Sequence, residues 1–383
     1  MKDVGMTTML NEEDRYKEIR PYNDDEVPSA IQRLINDEEL ISALARFRYP
    51  HAVNYFGWAI KPLIRHVARK WVKNVRTVDD VQQHVARFME QMIAKTSDGV
   101  TYSGLEHLQS GKGYLFISNH RDIAMDPAML NWGLFQCGLD TVRIAIGDNL
   151  LRKPCATELM RLNKSFIVKR SAKGPREMAR AFSELSSYIW DSLNDGHSIW
   201  IAQREGRAKD GDDRTDPAIL KMFYMAGKQK KLSFADYMRE LNIVPVAISY
   251  EYDPGDEAKA RELYERSTQG SYQKSEFEDI DSIVSGIIGY KGRVHLSVGK
   301  PLTEIPDSPD ELAALIDQSI HTQYRLFPSN LIAAEQTSAE LTAEQQKKFA
   351  DRLELMDSRW RDIVRHTYAK PVENQQSWQK PKL

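Results

Sequence analysis

Two cysteines, Cys137 and Cys155, are all that the 383 residues contain. A disulfide framework is not expected to hold the fold, and a reducing cytoplasm fits better. Charge of one sign is lacking as well: 53 Lys and Arg against 55 Asp and Glu leave a formal net charge of −2. With no overall basic field, no nucleic-acid partner is expected, and any anion must be met by a local cluster. No run approaches the roughly 18 apolar residues that a membrane-spanning helix needs. The start of the chain, Met1-Lys2-Asp3-Val4-Gly5 and then Asn11-Glu12-Glu13-Asp14, lacks the apolar core and cleavage site of a secretory signal. A cytoplasmic protein is therefore expected, with peripheral contact to the inner face of the cell membrane left open. Phosphate-loop, Gly-x-Ser-x-Gly and metal-ligand spacings are missing too, Gly111-Lys112-Gly113 being a lone turn before a strand. Nucleotide hydrolysis, serine hydrolysis and zinc chemistry lose weight, and neither a metal nor a bound cofactor is expected.

Hydrophobic residues make up 41% of the chain, enough for one large core with accessory elements. Residues 1–27 read as a polar, acidic, poorly ordered tail. Residues 28–97 read as a helical N-terminal domain: Ile31, Leu34, Ile35, Leu40, Ile41 and Leu44, then Val81, Val85, Phe88, Met89 and Met92, recur at helical spacing. Thr77 followed by Asp80 has the form of a helix-opening cap. From the turn at Asp98-Gly99 to about residue 330, short β-rich runs alternate with amphipathic helices. Strands are predicted at Val100–Ser103, Tyr114–Ser118, Val142–Ile146, Phe166–Lys169, Ile199–Ala202, Ile243–Ser249 and Arg293–Val298, and helices near 127–136, 150–163, 175–195, 217–227, 256–266 and 308–325. That alternation over 98–330 predicts an α/β domain, a mixed β-sheet flanked by helices, with its active loops at one end of the sheet. Residues 331–383 read as a C-terminal helix, Glu340 to His366, then a polar tail with Pro371 and Pro381. Cys137, closing the apolar stretch from Trp132, reads as core.

The richest short segment is Asn119-His120-Arg121-Asp122-Ile123-Ala124-Met125-Asp126-Pro127, between the apolar run Tyr114 to Ser118 and an apolar helical stretch. It sets an imidazole and two carboxylates in one loop at a strand end. A carboxylate in reach fixes a histidine's tautomer and stabilises its imidazolium, which makes His120 a candidate general base. The structural alternative is a strand-to-helix turn in which Asp126 caps the helix and Pro127 fills its first position.

Three later segments follow in order: Phe166-Ile167-Val168-Lys169-Arg170-Ser171, Arg204-Glu205-Gly206-Arg207-Ala208-Lys209 and Ile243-Val244-Pro245-Val246-Ala247-Ile248-Ser249-Tyr250. Together with the His120 loop they resemble the motif blocks of the glycerolipid acyltransferase superfamily, the glycerol-3-phosphate and 1-acylglycerol-3-phosphate acyltransferases, over about residues 100 to 300. Two blocks depart from the family pattern. Its first reads His-x-x-x-x-Asp, whereas His120 and Asp126 have one further residue between them; its third is usually Glu-Gly-x-Arg, and Glu205-Gly206-Arg207 is one residue shorter.

The resemblance implies a glycerol-3-phosphate acyltransferase-like fold and transfer of a fatty acyl group from an acyl-CoA or acyl-ACP thioester to a hydroxyl of glycerol 3-phosphate in phospholipid synthesis. A thioester is already activated, so a base suffices and neither a protein nucleophile nor a metal is required. His120 takes that role, with Asp126 the preferred partner and Asp122 the alternative. Lys169 and Arg170 match the second block's basic positions, Arg207 and Lys209 the third's, and they would hold the phosphate. Arg204, Glu205 and Gly206 complete the third loop: Gly206 lets backbone approach an anion, and Glu205 either positions substrate hydroxyls or orients Arg207. If Lys169, Arg170 and Lys209 are instead solvated loop charges, Asp210, Asp212 and Asp213 are their expected partners. Pro245 is expected to make the fourth block's strand locally an edge or a bulge.

Two other readings stay open, an acyltransferase acting on lysophosphatidate or another lipid alcohol and a non-catalytic lipid-surface protein that kept the fold. Phe56 to Arg76 interleaves Trp58, Ile60, Leu63, Ile64, Val67 and Trp71 with Lys61, Arg65, Arg69, Lys70, Lys73 and Arg76. Such a helix either rests on anionic lipid or, in the favoured reading, docks on the catalytic domain with its basic face in water. Pro62 is expected to kink it or mark a helix start.

Overall fold

The structure, a computed structural model, describes residues 14–49, 51–275, 278–336 and 341–379. Four helices come first: α1 (Val27–Asn36), α2 (Glu38–Arg48), α3 (Val53–Trp71) and α4 (Val78–Thr96). α4 opens on the predicted cap, the Thr77 hydroxyl accepting from Asp80 N at 3.1 Å and Asp80 Oδ2 from Thr77 N at 2.9 Å. The α/β part then runs β1 (Val100–Ser103), β2 (Leu115–Ser118), α5 (Met125–Gln136), β3 (Arg143–Gly147), α6 (Pro154–Leu162), β4 (Ser165–Val168), α7 (Pro175–Asn194), β5 (Ile199–Ala202), α8 (Pro217–Gln229), α9 (Phe234–Glu240), β6 (Ile243–Tyr250), α10 (Asp256–Gln269), α11 (Glu278–Ile288), β7 (Val294–Val298) and α12 (Pro309–Gln323). The chain continues through α13 (Pro328–Ala333), α14 (Ala343–Glu354) and α15 (Arg361–Gln379).

The seven predicted strands form one sheet in the order β1-β7-β6-β2-β5-β3-β4. β6, β2, β5, β3 and β4 run parallel, while β7 is antiparallel to β6 and parallel to β1. The sheet is mixed and flanked by helices, as the alternation predicted. One consequence matters for function: the loops that follow β2, β4, β5 and β6 leave from the same edge.

Strands covered on both faces read as unbroken apolar runs, because alternate side chains enter different cores. Leu115, Ile117, Ile199, Ile201, Ile243 and Ala247 join the core beneath α7, α8, α9 and α12. Phe116, Trp200, Val244, Val246, Ile248 and Tyr250 enter the opposite one, with Met125, Met129 and Leu130 of α5 and Met89 and Met92 of α4. Each such side chain, fully buried, contributes about 1.5–3 kcal/mol.

Several expectations are corrected. Residues 1–13 lie outside the described residues, but 14–27 are no free tail. Ile19 is buried and its carbonyl accepts from Ile167 N at 2.8 Å, covering the edge strand β4, while Arg161 Nε donates to Arg20 O at 2.9 Å. The expected polar C-terminal tail is helical through Gln379, with Pro371 buried inside α15; Pro381 and Glu340 lie outside the described residues. Phe349, Leu353, Trp360, Val364 and Tyr368 build a further core there with Tyr252 and Ala260. β6 is an interior strand, not an edge. Pro245 O accepts from Gly299 N at 2.9 Å just beyond the first β6–β7 pair, Val246↔Val298, so the missing N–H falls where that ladder ends. Cys137 is exposed, because it follows the last turn of α5, and Cys155 is buried. The helices α9 and α13 are too short to show a helical period, whereas α11 carries one, Ile280, Ile283, Val284, Ile287 and Ile288, that sequence reasoning missed. α3 is docked as favoured, but mainly on α2 and α1 in place of the catalytic domain; none of its residues is fully buried, and its one non-helical residue is Phe56, upstream of Pro62.

If α14 and α15 are part of the folded unit, Phe349→Ala should cost about 3–5 kcal/mol of unfolding free energy in a denaturant titration. A silent substitution would mean that the segment hangs free.

Candidate active site

β2 ends at Ser118, and Asn119 continues its pairing with a side chain in place of backbone. Asn119 Oδ1 accepts from Ile248 N at 2.7 Å and its Nδ2 donates to Ile248 O at 2.9 Å. The main chain is thereby free to turn, and the turn closes around Asp126. Asp126 Oδ2 accepts from Arg121 N at 2.6 Å, from Asp122 N at 2.9 Å and faces His120 Nδ1 at 2.8 Å. Its Oδ1 accepts from the Tyr250 hydroxyl at 2.8 Å. Asp126 has no exposed surface, and a carboxylate, which offers only acceptors, suits four donors. Asp122 takes the capping role instead, its Oδ1 accepting from Ala124 N at 3.0 Å and Met125 N at 2.9 Å at the start of α5.

Of the two carboxylates, then, Asp126 pairs with the imidazole. Its acceptance from Nδ1 leaves Nε2 as the ring's lone-pair nitrogen. Nε2 has no hydrogen-bond partner among the described residues, and the side chain keeps 13% of its surface exposed. Trp200 lies edge-on to the ring at 5.4 Å and is itself held by Ser118 Oγ at 2.9 Å. Burial, then the Asp126 charge, pushes the Tyr250 hydroxyl well above its usual value, so it stays protonated and donates. The same two causes push the Asp122 carboxyl up.

Beneath the loop lies a buried ionic layer. Arg121 Nη2 donates to Asp213 Oδ2 at 2.6 Å, with both side chains almost wholly buried. Burial pushes the Asp213 carboxyl up, against the pull of Arg121. Lys259 of α10 donates to Arg121 O at 2.7 Å and pairs with Asp253. Burial opposes ionisation of Asp253, but the Lys259 ammonium and the Gly255 N–H outweigh it and hold the carboxyl below its usual range.

The predicted cations meet this loop unequally. Ala208 N donates to His120 O at 3.3 Å, which brings the third loop against the first. Arg207, next in chain, reaches α11 through Ser282 Oγ at 3.3 Å. α11 also backs on the loop at Gly286, where an added Cβ would lie 2.0 Å from Asp122 Oδ2. Arg170 pairs with the exposed Glu205 at 3.2 Å, joining the loops after β4 and β5. Lys169 turns to Glu184 of α7 at 3.1 Å, and Lys209 is neutralised by Glu262 of α10. Burial pulls the Lys209 ammonium down despite that partner. Arg204 is exposed, with no hydrogen bond or ion pair among the described residues. Gly206 takes φ +75°, a conformation that favours glycine. Asp210, Asp212 and Asp213 are not the partners of these cations; Asp213 serves Arg121 and Asp212 serves Arg214.

Sequence reasoning missed Asn119 as a strand extender, Tyr250, Trp200 and the Arg121–Asp213 pair. Tyr250 had a faint signal, as a hydroxyl at the end of an apolar strand; Asp213 was hidden in an acidic run that reads as solvated.

Residues 99–249 match the family described as Acyltransferase. No curated protein matches the chain. Among solved structures, the chain is similar to the crystal structure of the 1-acyl-sn-glycerophosphate (LPA) acyltransferase, PlsC, from Thermotoga maritima, at 16% identity and a TM-score of 0.39, over 73% of this chain and 92% of that one.

Breaking the buried pair should be expensive and replacing it cheap. Arg121→Met alone is expected to lose about 3–5 kcal/mol of stability, and Arg121→Met with Asp213→Leu to regain most of it, in a denaturant double-mutant cycle. Additive losses would mean the two groups do not interact.

Proposed function

We propose that this chain, whose residues 99–249 match the family described as Acyltransferase, moves a fatty acyl group from an acyl-CoA or acyl-ACP thioester to a hydroxyl of glycerol 3-phosphate. The observation that carries this reading is the His120–Asp126 pair, with Nε2 turned away from its carboxylate partner. The acceptor hydroxyl donates to Nε2, and its oxygen attacks the thioester carbonyl as the imidazole takes the proton. Asp126 stabilises the imidazolium, Tyr250 holds Asp126 in place, and collapse of the tetrahedral intermediate expels the thiolate. The imidazolium then returns its proton to that sulfur. The products are the ester and a free thiol, so the balance closes without a protein nucleophile.

Arg207 is the cation best suited to the acceptor phosphate. Its loop is hydrogen-bonded to His120, and it has no carboxylate partner among the described residues, whereas Lys169, Arg170 and Lys209 each have one. Arg170 and Glu205 bridge neighbouring loops at the same edge of the sheet and flank the acceptor rather than clamp it.

One observation favours lysophosphatidate as a second acceptor. α11, which contacts Arg207 and Asp122, exposes Ile280, Val284 and Ile288 in a row of four-residue steps. That apolar row lies on the face of α11 away from Ser282 and Gly286, where it suits a membrane surface from which an acceptor with a hydrocarbon tail would be drawn.

Free-thiol release on mixing thioester donor and acceptor tests the reading. His120→Ala and Asp126→Asn are each expected to lower kcat by about 10²–10⁴-fold, with Asp122→Asn far milder. Wild type and His120→Ala equally inert with both donors and both acceptors would refute it. For Arg207→Met, the expected result is a KM raised at least about tenfold for phosphate-bearing acceptors, with the donor KM unchanged; an unaltered acceptor KM would remove Arg207 from the site.

A further inference from the structure

We propose that the loop after β4 and the exposed first turns of α7 form a docking surface for an acidic acyl carrier protein, which makes a carrier-bound thioester the donor. The inference rests on the acyl-transfer reading of the His120 site. On the side of β2 away from β6, three segments leave the sheet at the edge that carries the His120 loop: residues 148–153 after β3, 169–174 after β4 and 203–207 after β5. They are tied into one surface. Asp148 Oδ1 accepts from Arg170 N at 3.1 Å, Asp148 Oδ2 from Ser171 N at 3.2 Å, and Arg170 Nη1 meets Glu205 Oε1 at 3.2 Å. With residues 175–180 of α7, these segments carry nine cations and three carboxylates. All three carboxylates are engaged within the surface, Asp148 and Glu205 as above and Glu177 by accepting from Lys173 N at 2.9 Å. Arg152, Lys173, Arg176, Arg180 and Arg204 remain exposed, and no hydrogen bond or ion pair engages their side chains among the described residues. In a protein of net charge −2, so one-sided a surface calls for an anionic partner.

Shape and composition identify the partner. Residues 173–180 are exposed without a break, so α7 begins with turns that are open on every side, and Met178 is 41% exposed among the cations. The nucleotide end of a coenzyme A thioester needs a concave site that encloses the base. A helix end open on every side does not make one. Arginine and methionine are instead what protein interfaces are enriched in. An anionic membrane fits less well, since residues 148–153, 169–180 and 203–207 contain no aromatic side chain for the headgroup boundary. The distance to the base also suits a tethered donor. β4 lies three strands from β2, about 14 Å at ordinary strand spacing, so a carrier seated there must extend its thioester along the sheet edge to His120. The flexible prosthetic arm of a carrier protein is such a tether. Arg207 reaches instead to Ser282 of α11, the helix that leads into β7 beyond β6. The acceptor then meets His120 from the β6 side and the donor from the β4 side.

Binding of labelled holo acyl carrier protein to the full-length enzyme is read by fluorescence anisotropy, without turnover. Steady-state rates are then compared with acyl-ACP and acyl-CoA of one chain length. Wild type is expected to bind the carrier, more weakly as salt rises. Lys173→Glu combined with Arg176→Glu and Arg180→Glu should lower that affinity, and raise KM for acyl-ACP, about tenfold or more. KM for glycerol 3-phosphate, the rate with acyl-CoA and the unfolding midpoint should stay unchanged. A carrier that does not bind wild type would overturn the inference, as would equal binding by the variant or an equal loss with both donors. A variant that loses phosphatidylglycerol vesicles and keeps the carrier would assign the surface to a membrane and overturn it too. Carrier binding that the variant loses would support the docking surface even in an enzyme inert toward both donors, so its failure is separable from failure of the acyl-transfer reading.

Discussion

Asp126 is fully buried, and its two oxygens meet His120 Nδ1, the backbone N–H groups of Arg121 and Asp122, and the Tyr250 hydroxyl; without that carboxylate, these groups would lose their partner together in a site with little water to replace it. The imidazole has no other side-chain hydrogen bond among the described residues, so its orientation rests on this carboxylate. The sheet supplies the two anchors this requires. β2 delivers the loop and β6, its neighbour, delivers Tyr250 on the same face. The hydroxyl reaches Asp126 because alternation along β6 turns Val244, Val246, Ile248 and Tyr250 toward α5.

A second layer explains why the C-terminal helices are needed. Arg121 pairs with Asp213 through its guanidinium and accepts from Lys259 through its carbonyl, Lys259 pairs with Asp253, and Asp253 and Asp256 are gripped from α14 and α15. Arg352 Nε donates to Asp256 Oδ2 at 2.8 Å, and the Tyr368 hydroxyl donates to the same oxygen at 2.9 Å while accepting from Asp253 N. These buried ions hold the segment behind the His120 loop in one arrangement, and each would be costly alone. The C-terminal segment is thus part of the support of the site, not an appendage.

Periodicity made the seven strands legible, since runs such as Leu115 to Ser118 and Ile243 to Tyr250 are buried on both faces. The insertion of β7 between β1 and β6 was not legible, because strand order depends on contacts between distant segments. His120 and Asp126 could be singled out, but choosing between Asp126 and Asp122 needed the geometry: both sit in one loop, and only the turn decides which caps α5. The cations were found by type and position, while their partners were misread. Glu184, Glu205 and Glu262 come from other elements, whereas the nearby Asp213 is drawn inward by Arg121. The polar appearance of residues 14–27 and 367–379 misled for a related reason: single buried residues such as Ile19 and Val372 anchor segments whose composition is mostly hydrophilic.

The central claim is that Asp126 sets the tautomer of His120, and ¹⁵N NMR of histidine-labelled protein tests it most directly. The account predicts a proton on Nδ1, with a low-field signal that disappears in Asp126→Asn and survives in Asp122→Asn. A neutral His120 carrying its proton on Nε2, or an Nδ1–H signal that depends on Asp122 and ignores Asp126, would contradict it.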